Sequence, residues 1–338
     1  MEQKKTLNNL GGFRALASWM VCMYHASFII SGHYPSIGAV LDWGQEGVYV
    51  FFVISGLVLP WSMVHGNYKW EFAGKFMLKR FIRLYPPLLL SIVAWLLYFR
   101  MGSGSLDSKV LNIALDTALL IVPFKGSLWI NNLYWTLFVL FQFYLFQAIT
   151  FPFLANKNTW IRRIAFLATL AFSFFALLFP LQDFKIVVTF HLPVFTMGLL
   201  LCLYLNKIMG VAEFIISFII TAATCAYLTG HVYGCGYHIT IVAVLTFLGI
   251  LVVKRTPRWL DFIGNISYSF YLIHGVIIYT VLYYLPNFKT TESGSMITFL
   301  LIQVLAILAA WIFYYIIEKP AEGWTKLIKY KSKEEVKS

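Results

Sequence analysis

Charge is the scarcest commodity in this sequence. Only 12% of the 338 residues are charged, whereas 60% are hydrophobic. Soluble domains carry about 25% charged residues. So little charge cannot cover the apolar surface that remains, which excludes a water-soluble fold of this size and makes lipid the solvent. Cysteine is also scarce. Cys22, Cys202, Cys225 and Cys235 form no CxxC pair, and three of them sit inside apolar runs. That excludes a disulfide framework and a zinc site, so no metal is expected. Long polar stretches are missing too. The longest extramembrane segments, near 66–85 and 102–131, are too short for an independent aqueous domain. Any active site must therefore lie between helices or at their ends. The net charge of +12 would suggest a nucleic-acid partner in a soluble protein. Here its distribution matters more, and no nucleic acid is expected.

Ten apolar segments approach the roughly 20 residues needed to cross a bilayer. They are 13–32, 46–65, 86–101, 132–154, 162–180, 184–205, 211–229, 237–253, 263–285 and 296–317. The stretch 108–124 is less apolar, contains Asp116, and reads as an interfacial or re-entrant helix. Arg14 and His25 interrupt the first apolar run and no small-residue cleavage site follows it, so it reads as an uncleaved span. These patterns predict an all-α polytopic membrane protein of about ten transmembrane helices. Residues 1–320 form the membrane domain, and 321–338 form a short polar cytoplasmic tail.

Basic residues give the orientation. One side carries Lys4 and Lys5, five residues in 66–85, three in 155–163, Lys207, three in 254–258 and six after 318. The other carries only Arg100, Lys109, Lys125, Lys185 and Lys289. Twenty against five places both termini in the cytoplasm.

Ionisable side chains inside spans are costly and mark function. Arg14 and His25 share the first span. Eleven residues bring the helix back to within roughly 20° of the same face, about 16 Å further along. Arg80 and Arg83 stand at i and i+3 just before the third span, and paired guanidiniums suit phosphates. Together these suggest a cytoplasmic phosphate-bearing donor with a long arm, such as coenzyme A. The arm would thread toward His25, which could deprotonate an acceptor hydroxyl arriving from outside. His274 lies near the middle of the ninth span. Glu318 ends the tenth, where a salt bridge to a nearby Lys or Arg is the structural reading. His191 precedes Pro193 and could mark a kink, while His231 and His238 flank an outer loop and read as solvated. Trp129, Tyr134 and Trp135 could line a sugar cleft.

Six patches carry a family resemblance. They are LGGFRALASWMVCMYH at 10–25, FFVISGL at 51–57, RFIRLYPP at 80–87, the W-T-L and Q-F-Y-L pieces of 135–145, GNISYSFYLIH at 264–274, and IEKP at 317–320. In this order and spacing the chain resembles the acyltransferase-3 family of bacterial membrane O-acyltransferases. The resemblance implies acyl transfer, acetyl being the expected group, from cytoplasmic acyl-CoA to a hydroxyl of an extracytoplasmic or lipid-linked glycan. It also implies a multi-pass protein of the bacterial inner membrane, surrounded by its lipids. Arg14 and His25 match the family's first-helix pair, and Arg80 and Arg83 its RxxR. Two positions depart from the pattern. Leu140 replaces the Glu of the WSLxxE element, and Tyr49 replaces an acidic residue, with Glu46 the nearest carboxylate. A transporter or flippase, or a homologue impaired by Leu140, is the alternative.

The basic asymmetry predicts that a reporter fused after Ser338 is active only in the cytoplasm. Activity confined to the outer side would reverse the topology.

Overall fold

The computed structural model describes residues 9–178, 184–232, 234–286 and 290–329. Among them fifteen α-helices and no strand occur. They are α1 (Leu10–Ala26), α2 (Pro35–Leu41), α3 (Gly47–His65), α4 (Ala73–Ser103), α5 (Ser108–Ala118), α6 (Val122–Lys125), α7 (Trp135–Leu154), α8 (Thr159–Ser173), α9 (Val188–Leu205), α10 (Val211–Ala226), α11 (His238–Val252), α12 (Arg258–Asn265), α13 (Ser267–Tyr284), α14 (Glu292–Phe313) and α15 (Lys319–Thr325). All-helical architecture is what a lipid solvent demands, because a helix satisfies its own backbone hydrogen bonds.

Among the described residues, six helical stretches are long and apolar enough to cross a membrane, and a seventh is gained if the bent pair α12–α13 counts as one span. The three remaining segments of the ten read from sequence are also helical, but α1 has 17 residues and α8 and α11 have 15 each. At 1.5 Å per residue, 17 residues reach about 25 Å, short of a hydrocarbon core of about 30 Å. The predicted interfacial stretch 108–124 forms α5 and the start of α6. Lys4, Lys5, Lys289 and the tail beyond 329 lie outside the described residues. Before that point, 319–325 is helical.

The chain divides into two compact units that interleave in sequence. The first comprises residues 1–51, 84–135 and 250–321; the second comprises 52–83, 136–249 and 322–338. In the first unit, α1 crosses α12 at bare glycines. A β-carbon on Gly264 would run into the Gly11 carbonyl, so only glycine permits this approach. Asn9 Nδ2 donates to the carbonyls of Ile250 (3.0 Å) and Val253 (2.6 Å), which ties down the start of α1. Trp19 Nε1 donates to Gln303 Oε1 of α14 at 3.1 Å. Beyond His25, Ala26, Ile29 and Ile30 pack with Ile278, Val281, Phe299 and Ile302 into one apolar cluster.

The break between α12 and α13 bends the chain by 72° at Ile266. A helix that begins there has unsatisfied N–H groups in its first turn. The buried Glu318 carboxylate meets this need: its Oε2 accepts from the Ser269 N–H at 3.0 Å and also from the Ser269 hydroxyl. Negative charge at a helix N-terminus is favourable. The role read from sequence for Glu318 is a helix-end salt bridge; the bonds seen here come instead from Ser269 of a different helix.

In the second unit, Gly56 and Gly198 let α3 and α9 cross closely, each facing the other helix's backbone. The rings of Phe52, Phe195 and Phe143 stack beside that crossing, at 4.6 and 3.9 Å. Gln142 braces the start of α9. Its Oε1 accepts from Val188 N–H and its Nε2 donates to the Ile186 carbonyl, at 3.1 and 2.7 Å. Arg162 forks onto both carboxylate oxygens of Glu213 at 3.1 and 2.6 Å and joins α8 to α10.

Between α5 and α6, Lys125 Nζ donates to Asp116 Oδ1 at 2.7 Å. This hydrogen bond, helped by Ser127, holds the Asp116 carboxyl below its ordinary value of 3.8. A carboxyl depressed by folding stabilises the fold above its unfolded pKa, and the contribution fades as pH falls through the lower, folded value. Asp116→Asn should therefore lower the thermal midpoint near pH 6, with the gap from wild type closing below about pH 3.8. A gap independent of pH would show that the carboxylate charge contributes nothing.

Candidate functional site

The first unit gathers the sequence's most conspicuous polar groups around α1 and α13. α1 is unbroken from Arg14 to His25, so the two stay about 16 Å apart along its axis. Arg14 is half-buried one turn into the helix, and the Ser18 hydroxyl donates to its carbonyl at 3.0 Å. His25 stands in the last turn, half-buried, beside the Tyr24 ring.

α13 brings the second histidine. His274 is fully buried, and its ring centroid lies 5.6 Å from that of His25, tilted by 34°. The two are 249 positions apart in sequence, by subtraction of their numbers. His274 Nδ1 lies 3.0 Å from the Phe270 carbonyl. A carbonyl can only accept, so the bond assigns the proton to Nδ1 and leaves a lone pair on Nε2. Nε2 is buried and without a hydrogen-bond partner. That is the form in which an imidazole takes a proton.

Tyr271, His274 and Gly275 stand at i, i+3 and i+4 and share one face of α13. The Tyr271 hydroxyl donates to the Leu133 carbonyl at 3.1 Å, tying this face to the segment before α7. In that segment Asn131 Oδ1 accepts from Leu133 N–H at 3.1 Å. The fully buried Tyr134 hydroxyl lies 2.8 Å from Ser91 Oγ on α4.

Other residues expected from sequence fall elsewhere. Glu46 is buried at the end of a 3-10 turn, Asp42–Glu46. This turn packs on α1 with Gly44 against the Met20 carbonyl, and Gly47, the first residue of α3, lies against the Ala17 carbonyl. Glu318 bonds Ser269 as described above. Trp135 opens α7 and is half-buried. Tyr49 is buried and Leu140 half-buried.

Arg80 and Arg83 belong to the second unit. Arg80 Nη2 donates to Ser62 Oγ at 2.7 Å, and its guanidinium lies over the Phe76 ring at 5.3 Å. Arg83 Nη2 pairs with Glu322 Oε1 at 2.9 Å, with both side chains about one-third exposed. His191, in the same unit, is fully buried and donates through Nε2 to the Lys185 carbonyl at 2.8 Å. α9 continues through Pro193 as one helix. His231 is exposed and meets the Tyr237 hydroxyl, while His238 is half-buried.

Sequence reading missed Asn131 and Trp95, which face the Tyr134 hydroxyl. Neither lies in a motif, so nothing in the linear pattern marks them. Among the described residues no three His, Cys, Asp or Glu side chains converge as a metal site would require.

Neither a curated protein nor a solved structure matches the chain. The acyltransferase domain that defines the acyltransferase-3 family matches residues 7–315, nearly the full length, and the chain belongs to that family of membrane acyltransferases.

Proposed function

We propose that the protein is a membrane O-acyltransferase that moves an acyl group, acetyl in the simplest case, from cytoplasmic acyl-CoA to a hydroxyl of an extracytoplasmic or lipid-linked glycan. Ten spans in the bacterial inner membrane, with both termini cytoplasmic, give it access to both substrates. One observation carries the reading: two histidines from opposite ends of the sequence meet inside a lipid-soluble unit, one holding a free lone pair.

The acceptor oxygen bonds to the thioester carbon and its proton passes to His25, the general base. The tetrahedral intermediate then re-forms its carbonyl and breaks the C–S bond. The CoA sulfur leaves and takes a proton, so ester and thiol are the products. His274 supports His25 by accepting or returning that proton through Nε2. The Phe270 carbonyl orients His274 through Nδ1. Arg14 steadies the pantetheine or phosphate end of the donor. Arg80 and Arg83 take its phosphates, a reading supported by the bond that Arg83 makes to the Glu322 carboxylate.

With acetyl-CoA, a glycan fraction and purified protein, His25→Ala should lose about 10² to 10⁴-fold in thiol release while still binding CoA. Near-normal turnover in His25→Ala together with a dead His274→Ala would reverse their roles. Arg80→Ala or Arg83→Ala should weaken CoA binding by about 1.5–3 kcal/mol, with lysine restoring only part. Unchanged CoA affinity in a folded double-alanine variant would reject the phosphate role.

A further inference from the structure

In the first unit an aromatic row runs from the histidines to a pocket that the steps above leave unused. Gly275, Tyr279 and Tyr283 stand at i, i+4 and i+8 and follow one side of α13. Trp95 of α4 packs on Gly275, where a β-carbon would come within 3.1 Å of its Cζ2. The Tyr279 ring lies 5.8 Å from that of Trp95 and 6.2 Å from that of Tyr98. The Tyr283 hydroxyl donates to the Met101 carbonyl at 3.3 Å. The row thus starts beside His274 and ends about 12 Å further along α13.

At its far end a cavity of about 300 Å³ opens between the last turns of α4 and the first turn of α5. Tyr98, Phe99, Ser103, Ser105 and Asp107 line it. Small-molecule sites run from roughly 300 to 1,000 Å³, so this one suits a single ring. The local sequence builds its shape. The Ser103 hydroxyl donates to the Phe99 carbonyl at 2.8 Å, and Gly104, at a φ of +71°, turns the chain out of α4. Asp107 then caps α5, its Oδ1 accepting from the Val110 N–H at 2.7 Å. A carboxylate has about four lone-pair positions, so the cap leaves Asp107 able to accept from a ligand.

Tyrosines alone would be accounted for by an aromatic belt at the membrane interface. A carboxylate set among the rings of a concave site is not, since it repels the phosphate of a lipid headgroup. A sugar ring matches both features. Its flat C–H face packs on an aromatic side chain, and its hydroxyls donate to carboxylate and serine oxygens.

We propose that this pocket docks a sugar of the acceptor glycan that is a neighbour of the one acylated; this deepens the acyl-transfer reading and rests on it for calling the glycan an acceptor. The length of the row sets the choice of sugar, because about 12 Å is more than one sugar ring spans. The ring at His25 receives the acyl group while another ring of the same chain rests on Tyr98 and Phe99 and donates to Asp107. The pocket makes and breaks no bond. It holds the chain in register.

Asp107→Asn keeps the helix cap and removes the charge. Tyr98→Leu removes the ring face, and Tyr98→Phe keeps it. In native mass spectrometry of purified protein with oligosaccharides cut from the cell-surface glycan fraction, and no acetyl-CoA, the wild type should retain oligosaccharide. Asp107→Asn should weaken retention about tenfold or more, Tyr98→Leu at least about fivefold, and Tyr98→Phe less than twofold. With acetyl-CoA added, the first two variants should raise the acceptor KM by similar factors and leave kcat and the donor KM near wild type. Retention within about twofold of wild type in both Asp107→Asn and Tyr98→Leu, or no retention by the wild type, overturns the proposal. A wild type that retains oligosaccharide through these residues yet releases no thiol upholds the docking site and defeats the acyl-transfer reading alone.

Discussion

The buried Glu318 carboxylate accepts from both the backbone N–H and the hydroxyl of Ser269, three residues into α13. That bond sets where α13 starts after the 72° bend and therefore which residues share its inward face. A helix that began one residue later would rotate its face by about 100°. Tyr271, His274 and Gly275 would then point elsewhere. The glycine crossing of α12 with α1 holds the other partner at the distance that lets His25 reach His274. Both devices depend on the absence of water. A carboxylate is retained there only because it is hydrogen-bonded, and backbones approach closely only where side chains are missing.

Much of this was legible in the sequence because the motifs are contacts. The first glycine of LGGFR and the glycine of GNISYSFYLIH meet at the α1–α12 crossing. The glutamate of IEKP reaches the second serine of the GNISYSFYLIH element. Helical character throughout followed from composition. The pairing of His25 with His274 was not legible, since no periodicity links positions so distant. Asn131 and Trp95 were invisible for a different reason. An amide before a helix and a tryptophan within an apolar run look like a turn residue and lipid-facing bulk. Only the buried Tyr134 hydroxyl that both of them face sets them apart.

The span count shows how a length criterion and a hydropathy pattern part company. α1, α8 and α11 are apolar and helical, yet short for a bilayer of average thickness. α1 continues as a 3-10 turn over Ser27–Ile29, which extends its reach. In the second unit Arg83 pairs with Glu322 at 2.9 Å.

The central claim is that acyl transfer takes place beside His25 and His274. An acyl-CoA analogue with a photoreactive diazirine on its acyl end tests this directly, because the label reports where that end rests. After irradiation and proteolysis, mass spectrometry should place the label on peptides within 10–26, 127–135 or 267–284, and excess CoA should suppress it. CoA-suppressible label confined to peptides outside these three segments would contradict the account.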